Sequence, residues 1–110
     1  MNGEHPLARR DAAAILRRKL ARTFPDAERR REAEAVLAGY REQGAVRIHL
    51  AALRLAGTDL GELRRLLDDA QKDFRDVLAW AEYPGQMRET WSTPETEAAD
   101  RRAYETWLDD

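Results

Sequence analysis

Apolar and polar residues alternate along this chain with a helical period. From Leu7 to Phe24 the apolar positions Leu7, Ala12, Ile15, Leu16, Leu20 and Phe24 fall on one stripe, with Pro6 at the start and Pro25 at the end. This predicts a first helix over Leu7–Phe24. A second helix is predicted from an Asp26 cap to about Gly44, on the spacing of Ala33, Val36, Leu37 and Tyr40. A third, Ala45–Ala56, is apolar nearly all round and closes at Gly57, so it should be the most deeply buried.

The fourth predicted helix starts at Asp59, a cap three residues before Glu62, and stops at Pro84-Gly85. Leu60, Leu63, Leu67, Ala70, Phe74, Val77 and Ala81 alternate at three and four residues. That spacing describes a continuous seam packed along a neighbouring helix. The stretch from 86 to 110 is acidic and holds Trp91 and Trp107. Thr93-Pro94-Glu95 reads there as a cap, a proline at the first position and an acid in the first turn. A helix over Pro94–Leu108 follows, anchored by Tyr104, Trp107 and Leu108.

Composition agrees with helices and disfavours a sheet. Alanine (19) and leucine (13) dominate the apolar residues, while valine and isoleucine together number five. The expected fold is all-α: a small antiparallel bundle of about four helices over residues 1–85, plus a C-terminal helical arm over 86–110. With no cysteine, disulfides, zinc-thiolate sites and thiol chemistry are excluded. No apolar run approaches the roughly 20 residues of a membrane span. No leader segment is evident, so a cytoplasmic location is expected.

Net charge is −2, but residues 1–31 carry +5 and residues 32–110 carry −7. Two explanations compete. The basic helices can lie against acidic ones in the same fold or in a partner, or Arg9, Arg10, Arg17, Arg18, Arg29, Arg30 and Arg31 can serve as a nucleic-acid arm. The near-neutral overall charge favours the first and makes nucleic acid a poor partner, since nucleic-acid modules are usually clearly basic.

Candidate chemistry concentrates on the predicted fourth helix. Beside its core seam runs a second stripe, Asp59, Glu62, Leu66, Asp69, Asp73, Asp76, Trp80 and Tyr83. Asp69, Asp73 and Asp76 form a candidate acidic site for a hard cation, and hence for a small metal-dependent, phosphate-handling hydrolase. Side chains from one straight helix diverge, however, and neither His5 nor His49 completes a Glu-x-x-His pair. The preferred expectation pairs this flank with the arginines of the first two helices. His49, flanked by Ile48 and Leu50, is expected to bond a carbonyl or an aspartate. The chain has a single serine, Ser92, and no glycine-rich phosphate loop. Neither a catalytic residue, nor a metal site, nor a cofactor is predicted.

The segment Leu50-Ala-Ala-Leu-Arg-Leu-Ala-Gly57-Thr-Asp-Leu60, with Asp73-Phe-Arg-Asp-Val-Leu-Ala-Trp-Ala-Glu-Tyr-Pro84, resembles a family of small uncharacterised bacterial helical proteins. That family shares an "LAxLxLAxGD" segment and a "DYRDVLAxAEYP" helix end. Phe74 stands where the family has tyrosine. The resemblance implies a bacterial, cytoplasmic helical domain without an assigned reaction and transfers no catalytic residue. The function expected from the whole reading is a non-catalytic protein-interaction domain. Its partner would be a second copy, as a homodimer, or another protein, with contacts at Trp80, Tyr83, Trp91 and Trp107.

Overall fold

The computed structural model describes residues 4–89 and 91–110, and these form six helices with no strand among them. They are α1 (Ala12–Thr23), α2 (Ala27–Ala38), α3 (Ala45–Ala56), α4 (Leu60–Glu82), α5 (Pro84–Met87) and α6 (Pro94–Asp109). No helix of the described residues is long and apolar enough to cross a membrane.

Short polar caps set most of the starts. Asp11, Asp26, Asp59 and Thr93 each accept a backbone N–H three residues on, satisfying an otherwise orphaned donor. Asp11 explains why α1 begins five residues later than Leu7: the carboxylate competes successfully with Pro6 as the start signal, and the preceding segment turns instead of coiling. In that segment the Ala8 amide bonds the His5 carbonyl and the Arg10 amide bonds the Leu7 carbonyl. Helix α2 stops at Ala38, not near Gly44, because Gly39 ends it and the following Tyr40 turns into the core. Gly44 and Gly57 bracket α3 with φ of +76° and +58°, where a side chain would be strained.

The main core gathers one face each of α1, α2 and α4 around α3, whose Leu50, Ala51, Ala52 and Leu53 form an unbroken buried run. A smaller cluster of Ile15, Leu50, Tyr104 and Leu108 seats α6 against α1 and α3. The C-terminal helix therefore docks on its own chain.

Helix α4 departs from the continuous seam. Asp73 is extended (φ −157°, ψ 101°), so the element is two helices joined at that residue. The Asp73 carboxylate accepts the Arg75 amide at 3.0 Å and caps the second half. The break changes the helical phase. Before it, Leu66 joins Leu63, Leu67 and Ala70 in the core, although the sequence placed Leu66 on the acidic flank. After it, Val77, Leu78, Ala81 and Glu82 turn inward, and Phe74, predicted to be buried, is 48% exposed.

The uneven charge is resolved within the fold. Arg10 pairs with Asp109 at 2.8 Å, and Arg22 reaches Asp110 at 3.7 Å. Arg18 bonds the Leu108 carbonyl and Lys19 the Asp110 carbonyl. Cations from α1 and the segment before it thus surround the C-terminal end of α6, where the helix dipole favours them.

Candidate functional site

The residues most unusual in their placement are Glu82 and Tyr104, and neither was singled out in the sequence as a site. Glu82 is the last residue of α4 and only 3% exposed. Arg47, from the first turn of α3, meets it with two parallel bonds: Nη2 to Oε1 at 2.7 Å and Nε to Oε2 at 3.0 Å. This is the planar fork that suits guanidinium and carboxylate. His5 Nε2 donates to Oε2 at 3.0 Å, while its Nδ1 accepts the Leu7 amide at 3.1 Å; the amide bond assigns the ring proton to Nε2. Burial pushes the Glu82 carboxyl up, but the bonds from His5 and Arg47 outweigh it and hold the group below the usual carboxylate range.

Tyr104, on α6, is 1% exposed. Trp107 stacks on its ring at 5.8 Å, the Arg54 guanidinium lies 5.2 Å from the ring centre, and the His5 ring meets it edge-on at 6.4 Å. These contacts fix the ring. Its hydroxyl is nonetheless buried without a hydrogen-bond partner, alone in this respect among the side chains of the described residues. Desolvation, reinforced by the negative Glu82, holds the phenol well above its usual range, so it stays protonated.

Glu82 and Tyr104 line a cleft of about 800 Å³ together with His5, Arg47, Tyr83, Gln86 and Arg101. Asp100 holds Gln86 in place beside the cleft: buried, it accepts the Gly85 amide at 2.9 Å and the Gln86 amide at 3.0 Å, tying α5 to α6. Gly85 allows this approach, since a Cβ there would sit 2.6 Å from Asp100 Oδ1.

The acidic stripe is organised differently from the expected pairing with α1 and α2. Its partners are arginines of α4 itself: Arg65 Nη1 meets Asp69 at 3.2 Å, and Arg75 meets Asp73 at 2.9 Å. Arg65 reaches Asp69 at i,i+4 spacing and Arg75 lies two residues from Asp73, so each pair closes within α4. Asp76 is exposed. Among the described residues, no three His, Cys, Asp or Glu side chains gather to hold a metal ion.

Five of the seven N-terminal arginines have partners within the chain. Arg9 pairs with Glu4 and Arg10 with Asp109, while Arg18, Arg29 and Arg30 bond main-chain carbonyls. His49 Nε2 donates to the Tyr40 carbonyl at 3.0 Å, and burial lowers its pKa despite that bond.

The four aromatic candidates separate into two groups. Trp80, Tyr83 and Trp91 are exposed, Trp91 at 76%. Trp107 is half-buried between Tyr104 and the Lys19 ammonium, which lies 4.6 Å from its ring centre. No protein-family model matches the chain, and neither does any curated protein or solved structure.

Proposed function

We propose that this chain is a non-catalytic protein-interaction domain of a bacterial cytoplasm, an antiparallel bundle with a C-terminal arm that associates with a second copy of itself. One observation carries the reading. Of the six large apolar side chains left exposed among the described residues, five lie between residues 74 and 91: Phe74, Trp80, Tyr83, Met87 and Trp91. Surface aromatics and methionine are enriched where proteins meet, whereas scattered exposed leucines need no explanation. A two-fold dimer requires only one self-complementary patch, and the second copy is always present at the same concentration.

Sedimentation equilibrium tests this. The full chain should be dimeric at micromolar concentration, and Trp80→Ala or Trp91→Ala should weaken the dimer roughly 30-fold if either residue is an anchor. A chain that remains monomeric at millimolar concentration ends this reading.

A further inference from the structure

The cleft of Glu82 and Tyr104 lies beside the exposed aromatic segment but differs from it in chemistry. We infer that it is a binding site for a small organic anion, with the Tyr104 hydroxyl and the Arg101 guanidinium as donors to the ligand's carboxylate or phosphate oxygens.

The cleft, at about 800 Å³, is of the size that holds a metabolite. Its floor carries a phenol with no partner. A buried polar group left unmade is costly, and nearly all such groups in folded proteins are bonded. This phenol stays protonated, so its O–H is a donor awaiting an acceptor. Both oxygens of the nearby Glu82 are engaged by Arg47 and His5, which leaves Arg101 to the ligand. The other carboxylate on the cleft, Glu97, takes a bond from Ser92 at 3.2 Å.

What remains for a ligand is donor-rich. Among the described residues Arg101 holds only a long contact with Glu105, at 3.6 Å. Arg47 keeps Nη1 out of its Glu82 fork, the Tyr83 hydroxyl adjoins Arg47 Nη2 at 3.5 Å, and Gln86 also lines the cleft. One face of α6 supplies Pro94, Glu97, Ala98, Arg101 and Tyr104 at helical spacing, so the donors sit on a rigid element. Two guanidinium groups and a phenol on one cleft suit an oxyanion, and carboxylates and phosphate monoesters share that feature.

The test uses the full chain and two probes, inorganic phosphate and succinate, titrated to about 10 mM at constant ionic strength, a range that registers even millimolar affinity. The readout is the NMR shift of the Gln86 side-chain amide and the Arg101 Nε–H. At least one probe should shift both signals saturably, and which one does distinguishes phosphate from carboxylate. Tyr104→Phe, which removes an unbonded hydroxyl while keeping the ring, should fold normally and bind about tenfold more weakly. Arg101→Gln should weaken binding by at least as much, and Arg102→Gln should leave it unchanged. Failure of both probes, equal shifts from chloride, or full affinity in Tyr104→Phe overturns the proposal.

Discussion

Arg47 and Glu82 join the first turn of α3 to the last residue of α4 through two bonds of 2.7 and 3.0 Å, with the carboxylate almost wholly removed from water. His5 closes the remaining side. Three segments distant in sequence are thereby pinned to one carboxylate. Glu82→Ala leaves the guanidinium without its partner inside the fold. Because Arg47 is about one-third exposed and can be partly rehydrated, the expected loss is about 2–3 kcal/mol, at the low end for a broken buried pair. Urea unfolding of the two chains measures it. A loss below about 0.5 kcal/mol would mean the pair contributes no more than a surface one.

The same pair sets a pH dependence. The folded-state carboxyl of Glu82 is depressed below its ordinary value, so the unfolded chain binds the proton more readily. The stabilisation is therefore complete above about pH 4.3, the unfolded value, and is lost as pH falls through the folded value. Glu82→Gln removes this contribution. The stability gap between wild type and variant should be constant at neutral pH and should close on acidification below about pH 4. Exposed carboxylates such as Asp73 and Asp109 titrate alike in both chains and cancel in the difference.

How far the sequence revealed these features depends on where local signals and packing agree. Helix α3 was read with its observed ends because glycines flank it and its apolar run leaves no alternative. Helix α6 was read almost as well from Thr93-Pro94. The continuous seam of α4 failed at one residue: Asp73 carries no mark that separates a cap from a solvent-facing acid, and the decision falls to its bond with the Arg75 amide. Phe74 then left the core. Glu82 was illegible as a site for a related reason. Its only sequence signal is its position four residues after the buried Leu78, at the edge of the core face, where a carboxylate is ordinarily solvated.

The break itself yields a prediction. Asp73→Ala removes an internal helix cap and should cost about 1 kcal/mol, the usual loss for a cap, measured by thermal or chemical unfolding. The cost should be the same with and without millimolar magnesium or manganese. A metal-dependent difference would point instead to cation binding by Asp69, Asp73 and Asp76.

Gly85 offers a steric test of the contact between α5 and α6. A methyl group at this position would meet Asp100 Oδ1 at 2.6 Å and Thr96 Cγ2 at 3.2 Å. Gly85→Ala must push α5 away from α6 and weaken the two bonds that Asp100 accepts, at an expected cost of about 1–3 kcal/mol. Faster hydrogen exchange at the Gly85-equivalent and Gln86 amides would locate the loss. Unchanged exchange would show that α5 is held by something other than Asp100.

Leu108 and Trp91 make the sharpest contrast, because both belong to the C-terminal segment over 86–110. Leu108 is fully buried with Ile15, Leu50 and Tyr104, whereas Trp91 is largely in solvent. Leu108→Ala should destabilise the chain by about 2–5 kcal/mol through lost burial and a cavity. Trp91→Ala should stay within about 0.5 kcal/mol in a monomer, where it touches little. In a dimer that uses the aromatic segment, the Trp91→Ala cost would grow with protein concentration while the Leu108→Ala cost would not. Unfolding each variant at two concentrations therefore separates a residue that holds the fold from one that holds a partner.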